Sequence, residues 1–262
     1  MSHTMIQVRH EVREGGRFAF VTIDNRAKLN VLSAQVMDDF VAAMAPLFDD
    51  DALRGVVIEG AGDRAFVGGA DIDEMAAIDS PAEARTFISR VHACCAAVRD
   101  FPVPVIAAIR GWCLGAGMEL AAACDVRLAD SSARFGMPEV KLGIPSVVEA
   151  AILPGLIGWG RTRDLLIFGE VIDARRAFEI GFVDQLVQPD ALESAVEARL
   201  SALLTSRPCA VRLQKALIRT WETLPLAQAI AAGVESFADA FETAEPSQAM
   251  AEFQKARAAR RG

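Results

Sequence analysis

Twice in this chain of 262 residues a short apolar strand runs into a turn of small residues and then into a helix. The first passage is Gly55 to Glu59 (GVVIE) with the turn Gly68-Gly69-Ala70. The second is Val105 to Ile109 with the turn Gly115-Ala116-Gly117. Strands this uniformly apolar belong in a sheet covered on both faces. The order strand, turn, helix, strand, turn, helix gives a layered α/β plan, without a fixed-period sequence repeat. Glycine lets the backbone approach a ligand closely, and the start of a helix presents unpaired N–H groups. One Gly-Gly pair reads equally well as a plain strand-to-helix turn. Two such turns aimed at one oxygen form an oxyanion hole, in which loss of a donor costs roughly 100- to 1,000-fold in rate.

Two carboxylates follow the second turn. Glu119 sits near the start of the apolar helix MELAAA, and Glu139 follows a short strand at a Pro-Glu step. A carboxylate in apolar surroundings resists ionisation, so its pKa rises toward neutrality. Two facing carboxylates can divide acid and base work. Alone, Glu119 reads as a carboxylate favoured by the helix dipole.

Composition narrows the alternatives. Hydrophobic residues make up 52% of the chain, enough for a large core, but no apolar run reaches the ~18 residues of a membrane helix. The start, MSHTMIQV, has no apolar leader, and Met5 is a candidate native start. Cys94, Cys95, Cys113, Cys124 and Cys209 show no C-x-x-C spacing and read as free thiols in a reducing cytoplasm. His3 and His10 are near the terminus, and His92 reads as a helix-face residue, so a histidine-based triad has little to draw on. A net charge of −8 argues against a nucleic-acid binder. The cations Lys255, Arg257, Arg260 and Arg261 read as a solvated helix end or as a site for one phosphorylated ligand.

The remaining elements are legible by pattern. Ile6–Val12 and Arg17–Asp24 form a hairpin around Glu14-Gly15-Gly16. Ser33 caps a helix bearing Val36, Phe40, Met44 and Leu47, which Pro46 bends or ends. Ser80-Pro81 with Glu83 starts a helix that reaches about Arg99. Val183–Val187 is a last strand. From Pro189 the chain is helical, over 190–205, 208–222, 225–245 and 247–260. These helices read as a separate layer whose apolar faces cover the core or a neighbouring subunit.

The runs AFVGGADIDE, PVIAAIRGWCLGAGMELAAACDVRLAD and ARFGMPEVKLGIP resemble the enoyl-CoA hydratase/isomerase (crotonase) family, and the similarity spans nearly the whole chain. The resemblance implies an α/β fold, a spiral of repeated ββα units with a helical C-terminal region. It places the acyl-CoA site in residues 1–190 and oligomerisation in 191–262, as a trimer or a dimer of trimers. It implies an acyl-CoA substrate, with coenzyme A as part of that substrate and no metal or redox cofactor. The oxyanion-hole matches are Ala70 and Ala116. The catalytic glutamates of the hydratases match Glu119 and Glu139, with Glu119 taking a proton from water and Glu139 giving one to the α-carbon. Substrate-binding matches are Gly68, Gly69, Asp71, Ile72 and Gly115. Arg26 and Lys28, with Lys255 as a weaker candidate, are the cations for the CoA phosphates.

The chain departs from the family where the hydratases carry a glycine-rich run. Here Ser146-Val147-Val148-Glu149-Ala150 follows Ile144-Pro145. Val147 and Val148 are expected to shape the acyl pocket, and Glu149 reads as a helix-start carboxylate. Keeping both glutamates favours hydration of a 2-enoyl-CoA. The alternatives are enoyl-CoA isomerisation, acyl-CoA thioester hydrolysis and, remotely, a non-enzymatic or RNA-associated role.

Overall fold

The computed structural model describes residues 5–260, so His3 and Arg261 lie outside the described residues. The chain opens with the antiparallel hairpin β1 (Ile6–Arg13) and β2 (Gly16–Ile23), closed at Glu14-Gly15. Helix α1 (Ala34–Phe48) follows, capped by the Ser33 hydroxyl on the Val36 N–H. Pro46 lies inside α1 without breaking it, because the helix ends two residues later and the lost N–H costs only one bond.

Three strand pairs come next, each followed by helix. They are β3 (Leu53–Gly60) and β4 (Ala65–Val67) before α2 (Ile72–Ala76) and α3 (Pro81–Arg99); β5 (Val105–Ile109) and β6 (Trp112–Leu114) before α4 (Ala116–Ala123); and β7 (Val126–Asp130) and β8 (Arg134–Gly136) before α5 (Leu153–Phe168). Then come β9 (Val171–Asp173), α6 (Ala174–Glu179) and β10 (Gln185–Val187). The end is helical: α7 (Leu192–Thr205), α8 (Pro208–Trp221), α9 (Leu226–Ala240) and α10 (Glu245–Ala259).

Among the described residues the strands form two sheets, one ordered β1-β2-β3-β5-β7-β10 and a smaller one ordered β4-β6-β8-β9. Each strand pair gives its first member to the large sheet and its second to the small one, and within each sheet these strands are parallel. That is the spiral of ββα units expected from the resemblance. The small sheet is the part sequence patterning misses, because three-residue strands carry no readable period. Its β8 pairs antiparallel with β9. The last strand of the large sheet, β10, is shorter than the expected Val183–Val187.

The large sheet is apolar because both faces are covered. Val56 and Ile58 of β3, with Val105, Ala107 and Ile109 of β5, join a core shared with α1, α3 and α4. The alternate residues Val57, Ile106 and Ala108 join Phe18, Phe20 and Leu128 under Leu192, Val196 and Leu200 of α7. Helix α4 packs tightest. An added Cβ at Gly117 would lie 2.2 Å from the Val67 carbonyl oxygen of β4, so this first turn tolerates only glycine. Gly117→Ala is expected to destabilise the protein by about 1–3 kcal/mol, read as a lowered urea midpoint at unchanged m value.

Candidate active site

Three neighbouring strand ends of the small sheet build the site. Strand β4 leads into Gly68-Gly69-Ala70, β6 into Gly115-Ala116, and β8 into Met137-Pro138-Glu139. Because β4, β6 and β8 are parallel neighbours, their C-terminal ends emerge side by side. The Gly115 N–H donates to the Gly136 carbonyl at 2.9 Å, which locks the second and third ends together.

In both turns the alanine N–H has no acceptor among the described residues. Ala70 forms a bridge with Leu32, but that bridge uses the Gly69 carbonyl and the Asp71 N–H, so the Ala70 N–H between them is left over. Ala116 is the first residue of α4, where an N–H has no acceptor within the helix, and the Gly115 carbonyl is taken by Met118 and Glu119. Ala70 and Ala116 line one cavity of about 470 Å³, together with Glu119 and Glu139. Its wall is apolar and includes Met75, Ile78, Phe87, Ile88, Val91 and Val147. Sequence reading missed the share of α3, whose residues Phe87, Ile88 and Val91 recur at helical spacing and were the available signal.

Glu119 is 4% exposed. Its Oε1 accepts the Ala150 N–H at 3.2 Å. Burial, then the negative charge of Glu139, push its pKa up to about 8; the Ala150 bond opposes this and Glu149 adds to it. Glu139 is half-buried and accepts the Ser146 hydroxyl at 2.8 Å. Gly115 makes room for it. With φ +50°, Gly115 holds a conformation that disfavours side chains, and an added Cβ would lie 2.4 Å from Glu139 Oε1. At neutral pH these surroundings favour the protonated form of Glu119, whereas the sequence reading gives that residue the role of base.

The other expected site residues divide. Gly68, Gly69, Ile72, Gly115 and Val147 line the cavity, while Val148 packs against the core with φ +40°. Asp71 caps α2 through the N–H groups of Asp73 and Glu74. Lys28 Nζ lies 3.0 Å from Asp71 and 2.9 Å from Asp73, and Arg26 pairs with Asp24 at 2.7 Å, so both expected phosphate-binding cations are held by carboxylates outside the cavity lining. Glu149 is buried and paired with His92, which sequence reading places as a helix-face residue.

The family model described as enoyl-CoA hydratase/isomerase matches residues 13–260, and the chain belongs to that family. It is 34% identical to a short-chain-enoyl-CoA hydratase of Clostridium acetobutylicum, covering 91% of each chain. It is 35% identical to a crotonyl-CoA hydratase of Syntrophomonas wolfei, over 93% of this chain and 94% of the other. The crystal structure of an enoyl-CoA hydratase from Bacillus anthracis superposes with a TM-score of 0.90 at 28% identity, covering 96% of each chain.

In ligand-free protein, the Glu119 carboxyl is expected to titrate near pH 8. A carboxyl 13C titration of glutamate-labelled protein, with the signal assigned through Glu119→Gln, measures it; an ordinary carboxylate midpoint would contradict the burial argument.

Proposed function

We propose that the protein is an enoyl-CoA hydratase, adding water across the 2,3 double bond of a 2-enoyl-CoA to give a 3-hydroxyacyl-CoA. One observation carries this reading: Glu119, Glu139 and the two turn alanines, whose N–H groups have no acceptor among the described residues, line the same apolar cavity. The thioester oxygen binds the N–H groups of Ala70 and Ala116, at the positive end of α4. This polarises the conjugated double bond and stabilises the enolate-like transition state. One carboxylate takes a proton from water as the oxygen bonds to the β-carbon. The other gives a proton to the α-carbon, so the elements of water are added with no net oxidation.

The pair needs one proton in total to do this. The sequence-based assignment gives the water to Glu119 and the α-carbon to Glu139, yet burial favours the protonated form of Glu119 at neutral pH. The proton then has to pass to Glu139 within the loaded site, a transfer that a water held by both carboxylates allows. The macroscopic titration belongs to the pair in either case.

Other features fit the same reading. The acyl chain lies against Met75, Ile78, Phe87, Ile88, Val91 and Val147. Arg26, Lys28 and Lys255 serve the CoA phosphates once released from their carboxylates or, for Lys255, presented by a neighbouring subunit. The exposed apolar residues Leu226, Ile230, Phe237 and Phe241 of α9 and its C-cap, with Phe253 of α10, suit burial in a trimer or a dimer of trimers. Five free cysteines fit a reducing cytoplasm. No described helix is long and apolar enough to cross a membrane.

With crotonyl-CoA, loss of the conjugated absorbance and a product heavier by one water are expected. A shifted double bond or free CoA would instead mean isomerisation or hydrolysis. Glu119→Gln and Glu139→Gln are each expected to lower kcat roughly 100- to 10,000-fold. Gly115→Ala, which displaces Glu139, should cost about 100-fold. Activity should fall as pH rises through about 8, where the pair loses its shared proton. A kcat/KM profile flat to pH 10 would sink the one-proton pair.

A further inference from the structure

A third carboxylate lies beside the pair. Glu149 sits in the single-turn segment Val148–Ile152 just before α5, with its side chain 5% exposed. Its Oε1 lies 2.7 Å from Nδ1 of His92 on α3, and its Oε2 is buried with no hydrogen-bond partner among the described residues. A helix-start carboxylate facing solvent has no need of that burial. An ionised carboxylate kept out of water with one partner is costly unless its charge is used or neutralised. The next residue, Ala150, donates its N–H to Glu119 Oε1. Glu149 is therefore tied to Glu119 through one short stretch of backbone and, on the other side, to an imidazole that is 59% exposed.

We propose that His92 and Glu149 form a positioning pair for Glu119: His92 fixes the Glu149 carboxylate beside Glu119, where its charge bears on the proton exchanged by Glu119 and Glu139. This rests on reading Glu119 and Glu139 as acid and base. A like charge nearby disfavours the ionised form of a carboxylate, and Glu149 contributes in that sense at Glu119, after burial and Glu139. Without His92, Glu149 loses the partner that fixes its carboxylate beside Glu119.

The groups around the trio leave this task to them. Cys95 of α3 is buried against Glu149 and Glu119, and burial first, then these two carboxylates, push its thiol well above the ordinary range, so it stays uncharged. Arg99 of α3, which shares a second cavity with Ala151 and Ile152, is held by Glu222 at 2.6 Å. Arg85 of α3 lines the main cavity at its apolar wall.

The test compares Glu149→Gln, His92→Leu and the double variant, by the pH profile of crotonyl-CoA hydration and by the carboxyl 13C titration of Glu119 in ligand-free protein. Each single variant is expected to move the pair's loss of its proton to lower pH, by about one unit. The double variant should move it no further than either single one. The exposed position of His92 keeps the test open if Glu149→Gln does not fold. An unmoved midpoint with a uniform loss of kcat means a structural role only and overturns the proposal, as does an upward shift in His92→Leu or additive shifts in the double variant. If the 13C midpoint moves as stated while the unaltered protein does not hydrate crotonyl-CoA, the coupling stands and the hydratase reading fails.

Discussion

The close seat of α4 on β4 is the contact on which the site depends. Gly117 brings the helix against the Val67 carbonyl without an intervening side chain. This sets the start of α4 beside the end of β4, so the free N–H groups of Ala116 and Ala70 belong to one cavity. The same seat places Glu119, one turn into α4, at that cavity rather than in solvent. A longer side chain at position 117 would separate the helix from the strand and divide the two donors.

The small sheet then does by geometry what no single motif does. Parallel neighbouring strands end side by side, so three turns from distant parts of the chain converge without long loops. Two of these ends contribute backbone and one contributes Glu139. Backbone donors need no particular side chain, so Ala70 and Ala116 are legible only through the glycines around them.

That explains which parts of the fold and site were readable beforehand. The apolar strands of the large sheet, the caps at Ser33 and Ser80, the two small-residue turns and the terminal helices all carry a local pattern. The small sheet does not, since its strands are three residues long and are defined by their neighbours. The same holds for the partners of charged residues. Sequence names Lys28, Arg26 and His92 as cations or near-cations, but their pairing with Asp71, Asp24 and Glu149 depends on segments brought together only by folding. Spacing of 20 residues between Glu119 and Glu139 likewise says nothing of distance until β7 and β8 have returned the chain to α4.

Glu119 and Glu139 line one apolar cavity and Glu149 is buried beside Glu119, an arrangement that folding alone disfavours, since carboxylates lose hydration there and like charges repel. Each has a donor among the described residues: Ala150 for Glu119, Ser146 for Glu139 and His92 for Glu149. Two of those donors, and one of the carboxylates, come from Ser146–Ala150, the run in which the chain departs from the glycine-rich pattern of the hydratases it resembles. A glycine-rich run can offer backbone N–H groups but neither the Ser146 hydroxyl nor the Glu149 charge. The departure therefore leaves the two small-residue turns untouched and acts on the surroundings of the carboxylates. Of the two valines in that run, only Val147 lines the cavity, while the charge of Glu149 acts on Glu119.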